Sequence, residues 1–262
     1  MKFDDIFREQ IARYDFAKKI AKGNILDISY GSYISFYGAQ KLFTEGATEI
    51  WSLDVSGDEQ LLIKRTIQNQ SICTEQIDLT QENMPESYFD LILSHNVIQL
   101  EKNPQEIIKK YHKLLTKNGI LLITTPNKNT DLHLADVLLD SQDAGKFSSK
   151  NFFDLLNNSF SNIKLYSQLL LKTSALSKQN FRNYFKFFIR LSNIFRHSFL
   201  IFRVEIFSRL GLFNLYKKLF KDSIARKNEP NFDQNLYVPI PFNESDLPLF
   251  LIAICSKNDL KG

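Results

Sequence analysis

Four polar residues in the first hundred each end or follow a short apolar run: Asp27, Asp54, Asp78 and His95. Asp54 could accept two hydrogen bonds from ribose hydroxyls, and Asp78 could accept one from an adenine amino group. Any one of these acids alone is better explained as a solvated or helix-capping residue. Their order along the chain, however, favours one shared site for a nucleoside-containing ligand.

The segment after Asp27 has the position of a glycine-rich loop but departs from its composition. Residues 24–38 read NILDISYGSYISFYG, and the loop holds a single glycine, Gly31, between serines and tyrosines. Glycines in such a loop let the backbone turn sharply and approach a ligand closely. The segment is therefore either a nucleotide-binding turn with altered details or a strand end that only resembles one.

The elements that would position these residues alternate along the first 165 residues. Short apolar runs with the composition of strands are separated by amphipathic stretches, which is typical of a parallel sheet covered on both faces. We predict a doubly wound, Rossmann-like α/β domain whose ligand lies beyond the carboxyl ends of its strands. Its seven strands are expected at 24–29, 48–55, 71–79, 88–94, 119–125, 159–171 and 247–257. Helix-like stretches are expected at 34–45, 58–69 and 104–117, with Asn118-Gly119 as a helix C-cap.

Composition excludes several classes of protein and site. The chain has 262 residues, of which 44% are hydrophobic, a net charge of +4 and two cysteines. The charged start argues against a signal peptide, and the apolar run 247–256 is about half a membrane span. Cys73 and Cys255 suggest neither a disulfide framework nor a metal cluster, so a cytoplasmic setting is expected. No P-loop or GxSxG segment is present, although Asp54 would also suit the ribose of NAD.

Longer segments resemble one enzyme family. Residues 13–128 resemble the class I S-adenosylmethionine-dependent methyltransferases, and in particular a subgroup encoded among bacterial genes for cell-surface sugar biosynthesis. The lead-in RYDFAKKIAKGNILDIS (13–29) and the segment DLTQENMPESYFDLILSHNVIQL (78–100) are similar to that subgroup. The most specific likeness is LLTKNGILLITTPNK (114–128), which ends in Thr-Pro-Asn, with the Phe-Ser continuation in 145–168.

The resemblance implies S-adenosylmethionine as the cofactor. No metal is expected, because no cluster of His, Cys and carboxylate residues has the spacing of metal ligands. The residues that it implies for cofactor binding are Tyr14, Asp27, Ser29, Gly31, Asp54, Val55, Asp78, Leu79 and Ser94. Two parts of the chain depart from the family pattern. The family's three loop glycines correspond to Ser29, Gly31 and Tyr33, and the subgroup's Glu-His pair corresponds to Gln99-Leu100.

Two histidines are candidates for the general base that a hydroxyl acceptor would need. His95 follows the fourth predicted strand, beside the expected reactive methyl group, and His133 lies after the fifth, where substrate contacts are expected. His95 fits equally well as a partly buried ring bonded to the backbone. The resemblance implies methyl transfer to a sugar or lipid-linked glycan in polysaccharide biosynthesis. The alternative is a non-catalytic methyltransferase-like binding or scaffold protein.

A basic, aromatic segment separates the last two predicted strands. Residues 178–227 carry twelve Lys or Arg and two acids, a net charge of +10, together with twelve aromatic residues. Helical spacing of phenylalanines predicts helices over 180–222. The segment could cap the domain, form a homodimer contact, or lie on an anionic inner membrane surface. Nucleic acid is not expected, because no RNA-binding fold signature accompanies the charge. We predict a core over 1–171, an insertion over 172–246 and the last strand of the core over 247–262.

Overall fold

The computed structural model describes residues 3–29, 38, 42, 46–55, 61–66, 72–76, 84–129, 147–170, 237–243, 245 and 248–258. The predicted insertion lies outside this part of the chain except at 237–243 and 245, so its helices stay a prediction. Four of the predicted site residues also lie outside it, namely Gly31, Asp78, Leu79 and His133.

The helices in the described residues are α1 (Phe3–Ala17), α2 (Pro104–Leu114) and α3 (Ser149–Asn157), with a 3₁₀ turn at Ile98–Leu100. Helix α2 starts with proline at its first position, where the missing N–H costs no hydrogen bond. Helix α3 is capped by Ser148, whose hydroxyl accepts the Asn151 N–H over 3.2 Å. None of these helices is long and apolar enough to cross a bilayer.

The strands form one mixed sheet with the order β4-β3-β2-β1-β5-β6-β9-β7-β8. Strands β1, β2, β5 and β6 run parallel, and β9 runs antiparallel between β6 and β7. The bounds are β1 (Gly23–Ser29), β2 (Ala47–Asp54), β3 (Leu61–Thr66), β4 (Ile72–Gln76), β5 (Phe89–His95), β6 (Leu115–Pro126), β7 (Asn162–Leu170), β8 (Ile240–Pro241) and β9 (Pro248–Ser256). The Rossmann-like α/β fold is confirmed with all seven predicted strands, and the described sheet adds β3 and β8.

The stretch 58–69 was predicted to be helix-like, and this prediction is wrong. It contains β3, which pairs antiparallel with β2 on one side and with β4 on the other. Its apolar residues Leu61, Leu62 and Ile63 are consecutive rather than three or four apart, which suits a short strand. The pairing also gives the open edge of β2 a partner.

The helix end predicted at Asn118-Gly119 is also wrong. Helix α2 ends at Leu114, and Asn118-Gly119 lies inside β6. A Cβ atom on Gly119 would lie 2.8 Å from the carbonyl oxygen of Phe89 on β5. Glycine is needed here because two strands approach closely at an irregular part of their pairing, not because a helix ends.

Each face of the sheet is covered by its own apolar cluster. Ile25 of β1 packs with Tyr14 and Ala17 of α1, and we call this side the α1 face. The next residue, Leu26, belongs to the cluster that contains Ile108 of α2, on the side that we call the α2 face. Successive side chains of a strand point to opposite faces of the sheet. The residues of β1 therefore alternate between the α1 face and the α2 face.

The Thr-Pro-Asn segment joins the end of β6 to the start of β9. The side-chain amide of Asn127 donates to the Pro248 carbonyl over 3.0 Å, and the Asn127 N–H donates to the Leu249 carbonyl over 2.9 Å. The next N–H, of Lys128, donates to the Phe147 carbonyl over 2.9 Å. The segment with the most specific family likeness therefore fixes the backbone at the carboxyl edge of the sheet.

Candidate functional site

The carboxyl ends of four strands bring predicted polar residues together at one edge of the sheet. Ser29 of β1 pairs with Asp54 of β2 and with His95 of β5, and His95 pairs with Thr124 of β6. Neighbouring strands are about 4.8 Å apart, so these four backbone positions span roughly 15 Å. Predicted site residues from three separate segments, Ser29, Asp54 and His95, therefore lie level with one another.

A buried polar cluster lies on the α1 face at this edge. The hydroxyl of Tyr14 donates to Oδ2 of Asp27 over 2.8 Å, and both side chains are fully buried. The Tyr14 ring meets the His95 ring edge-on, with 5.1 Å between ring centroids and 66° between planes. Helix α1 thus places a phenol between a carboxyl group and an imidazole, and we call these three residues the Tyr14 cluster.

His95 is the residue of this cluster whose ring nitrogens could serve a ligand. Both of its ring nitrogens are buried, and neither has a hydrogen-bond partner within the described part of the chain. Burial, and after it the charge of Arg13, lower the pKa of His95 from 6.5 to about 3. The ring is therefore neutral near pH 7 and offers one donor and one acceptor. It suits hydrogen bonding to a ligand better than proton removal, which needs a pKa near the working pH.

A second buried network surrounds Arg13, which the sequence analysis did not single out. The Arg13 Nε donates to Oε1 of Gln168 over 2.8 Å, and Nε2 of Gln168 donates to the Tyr237 carbonyl over 2.7 Å. The guanidinium carbon lies 4.4 Å from the centroid of the Phe250 ring. The network joins α1 to β7 and β9. It also includes Tyr237, the first residue that the structure describes after β7.

A tight turn follows β5 and contains the first departure from the Glu-His pair. Asn96 has a φ of 54°, a left-handed conformation that asparagine tolerates better than most residues. Its N–H donates to the Thr124 hydroxyl over 3.1 Å, and the side-chain amide of Gln99 donates to its carbonyl over 2.7 Å. A glutamate at position 99 could not donate this hydrogen bond when ionised. Gln99 is therefore accommodated by a specific contact.

The remaining predicted residues occupy different places. The Ser94 hydroxyl lies on the α2 face, 3.3 Å from the Tyr111 hydroxyl, and so points away from the Tyr14 cluster. The Val55 N–H donates to the Ser29 carbonyl over 3.0 Å, which holds the ends of β1 and β2 together. Within the described residues, no group of His, Cys, Asp and Glu could hold a metal ion.

A family profile described as a methyltransferase domain matches residues 22–188. The chain belongs to this methyltransferase family. The match spans the strands that carry Asp27, Asp54 and His95, and it confirms the predicted class I S-adenosylmethionine-dependent methyltransferase family. No curated protein matches the methyltransferase chain significantly.

Solved structures resemble this methyltransferase domain at low sequence identity. The YcgJ protein of Bacillus subtilis is 12% identical with a TM-score of 0.50, over 96% of this chain and 99% of that one. A S-adenosylmethionine-dependent methyltransferase of Archaeoglobus fulgidus is 13% identical with a TM-score of 0.49, over 96% and 93%. Phosphoethanolamine N-methyltransferase 2 of Haemonchus contortus, in complex with S-adenosylmethionine, is 13% identical with a TM-score of 0.48, over 93% and 52%. The likeness to YcgJ shows the fold alone.

The predicted cofactor, S-adenosylmethionine, is confirmed for this methyltransferase domain. When bound, it supplies an electrophilic methyl group on a positively charged sulfur. The described residues fit a polar ligand of this kind, because the two buried ring nitrogens of His95, beside the Tyr14–Asp27 pair, have no partner among the described residues. Buried polar groups without a protein partner are costly unless a ligand or water satisfies them.

Proposed function

We propose that this methyltransferase domain methylates a hydroxyl group of a sugar or lipid-linked glycan. The observation that carries the proposal is the Tyr14 cluster at the carboxyl edge of the sheet, where His95 keeps two ring nitrogens without a partner among the described residues. The acceptor class is supported by the resemblance of residues 114–128 and 145–168 to methyltransferases of cell-surface sugar biosynthesis.

The proposed roles divide between cofactor binding and acceptor positioning. Asp54 accepts hydrogen bonds from ribose hydroxyls, and Asp78 accepts one from the adenine amino group. The other cofactor contacts fall to Tyr14, Asp27, Ser29, Gly31, Val55, Leu79 and Ser94, with Ser94 contributing through its backbone. His95 holds the acceptor by a hydrogen bond from or to its neutral ring. His133 is the proposed general base, because the pKa of about 3 makes His95 a weak one.

Positioning accounts for most of the proposed rate enhancement. Methyl transfer is a displacement in which the attacking oxygen must lie in line with the bond that breaks. The chain contributes a fixed imidazole, held at the end of β5 by strand pairing and by contact with the Tyr14 ring. It also contributes a buried edge from which bulk water is excluded, which strengthens the hydrogen bonds that orient the acceptor.

Replacing Asp54 with alanine is expected to weaken binding of S-adenosylhomocysteine by tenfold or more, measured by calorimetry. Loss of hydrogen bonds from two ribose hydroxyls to a carboxylate accounts for a change of about 1.4 kcal/mol or more. The matched control is Glu86→Ala, because Glu86 is an exposed acid outside the site and should leave the affinity unchanged. Equal affinities for Asp54→Ala and the wild type would show that the ribose contact has been assigned to the wrong residue.

A second function is favoured by Ser29 and Tyr33, which stand where the family has glycines. Side chains at these positions hinder close approach of the backbone to a ligand. The chain would then be a non-catalytic binding or scaffold protein. Absence of any binding of S-adenosylhomocysteine at millimolar concentration would support this function over methyl transfer.

We further propose that residues 178–227 attach the protein to an anionic membrane surface. The support is their net charge of +10 with interleaved phenylalanines. Each basic residue near such a surface contributes about 1 kcal/mol, screened over about 10 Å at moderate salt. The protein is then cytoplasmic and peripheral to the inner membrane surface, where a lipid-linked acceptor would be presented.

The protein is therefore expected to sediment with vesicles that contain phosphatidylglycerol and to be released as salt rises. Replacing Arg182, Lys186 and Arg190 with glutamate should abolish sedimentation. The control replaces Lys102, Lys109 and Lys113, which are exposed on and before α2, with glutamate. This control makes the same change in net charge and should still sediment. A wild-type protein that stays in the supernatant at every salt concentration would favour a cap or a homodimer contact for this segment.

A further inference from the structure

Gly38 touches the Tyr14 ring so closely that no side chain fits between them. The residue has helical backbone conformation and is buried. A Cβ atom built on Gly38 would fall well inside van der Waals contact with three carbons of the Tyr14 ring, Cδ1, Cε1 and Cζ. The ring cannot move aside freely, because Tyr14 is 1% exposed and its hydroxyl is bonded to Asp27.

Glycine within a helix needs a reason, since it is among the least favourable residues for helix formation. A glycine is often needed because its backbone is left-handed. Gly38 instead has helical backbone conformation, so this explanation does not apply to it. The contact with Tyr14 supplies the reason instead.

We propose that Gly38 is a positioning residue of the cofactor site and acts through Tyr14. By leaving space for the Tyr14 ring, Gly38 lets the hydroxyl reach Asp27 and lets the ring edge rest against His95. One residue thus sets the orientation of Asp27 on β1 and His95 on β5, the two groups that are proposed to contact the ligand. The proposal rests on the proposed cofactor contacts of Tyr14 and Asp27, and it adds a residue to which neither the family likeness nor the loop pattern gives a role.

The close approach also bears on the missing loop glycines. Tyr33 stands at the third glycine position, where the family packs the start of the following helix closely. Gly38, five residues further along, is itself close to Tyr14 of α1.

The test is a double-mutant cycle between Gly38→Ala and Tyr14→Leu, with binding of S-adenosylhomocysteine measured by calorimetry. Gly38→Ala alone should weaken binding by tenfold or more, because the added methyl group displaces the Tyr14 ring. In the Tyr14→Leu background, which has no ring to displace, the same change should alter affinity by less than twofold. Such a difference between backgrounds identifies an effect transmitted through Tyr14. An equal loss in both backgrounds, or no loss in the wild-type background, would overturn the proposal.

Two ligand-free measurements keep this test separate from the proposed function. Gly38→Ala should lower the melting temperature in the wild-type background and leave it unchanged or raised in the Tyr14→Leu background, because alanine is the better helix former. The substitution Gly38→Ala should also shift the His95 ring proton signals in NMR spectra, but only when Tyr14 is present. These signals are assigned with the variant His95→Gln.

If the wild type binds no S-adenosylhomocysteine, the proposed cofactor contacts are wrong. The melting temperature and the His95 signals then decide by themselves whether Gly38 acts through Tyr14. Unchanged His95 signals and melting temperature in Gly38→Ala would overturn it. Tyr14→Met replaces Tyr14→Leu if the latter does not fold, because a methionine side chain fills irregular space.

Discussion

Lowering the pH from 6.5 to 5 is expected to reduce the free energy of unfolding by about 2 kcal/mol through His95 alone. In the unfolded chain the imidazole takes up a proton near pH 6.5. In the folded protein, burial and the charge of Arg13 lower its pKa to about 3. Between these two values the unfolded state binds more protons, so stability rises with pH throughout this window. The contribution is complete about one pH unit above 6.5, and below pH 3 both states are protonated.

Denaturant unfolding of the wild type and of His95→Gln between pH 5 and 7.5 measures this effect. Glutamine is polar but does not titrate, so the variant should lose most of the pH dependence. His112→Gln is the matched control, because His112 is only partly buried and the lowering of its pKa, by burial and by Lys257, is smaller. Parallel curves for the wild type and His95→Gln would mean that the His95 ring is hydrated or already charged in the folded protein.

Replacing Arg13 with alanine is expected to lower the free energy of unfolding by about 2–5 kcal/mol. The change leaves Oε1 of Gln168 buried without its donor and removes the guanidinium from the Phe250 ring. It also removes the second cause of the lowered pKa of His95, so this pKa should rise and the loss of stability on acidification should level off at a higher pH than in the wild type. The pH dependence therefore reports a link between the two buried networks.

Thermal and denaturant unfolding of Arg13→Ala measure the loss, with Lys19→Ala as the control. Lys19 lies just after α1 and is exposed, so its removal should change stability by less than about 0.5 kcal/mol. Arg13→Met tests the two contributions separately, because it keeps packing on Phe250 but not the hydrogen bond. A stability of Arg13→Ala within 1 kcal/mol of the wild type would contradict a structural role for this network.

The strands that carry Ser29, Asp54 and His95 were the part of the site that the sequence predicted well. Ser29, Asp54 and His95 follow apolar runs, and strands that run parallel must bring such residues to one edge. Side chains alternate between the two faces along a strand, so Ser94 and His95 lie on opposite faces. This explains why the Ser94 hydroxyl contacts Tyr111 rather than the Tyr14 cluster. Local pattern is sufficient for these features because they depend only on alternation within one strand.

Contacts between distant segments could not be read in the same way. Arg13 and Gln168 are 155 residues apart, and nothing near either residue indicates that they meet. A glycine-containing pair such as Asn118-Gly119 fits a helix end and a close strand approach equally well, and only the position of Phe89 distinguishes them. The consecutive apolar residues at the start of β3 were similarly ambiguous, because the partner strand decides between short helix and strand.

The position of β9 has a consequence for how the protein is synthesised. Residues 248–256 fill the gap between β6 and β7, and every residue of this strand is buried. While the chain is growing, that gap stays open until residues 171–247 have also left the ribosome. Closing a loop of that length costs entropy that only the new strand contacts can offset, which slows folding. The nascent chain therefore exposes the apolar edges of β6 and β7 for the whole time that the basic segment takes to emerge, a period in which a chaperone or a nearby lipid surface could hold it.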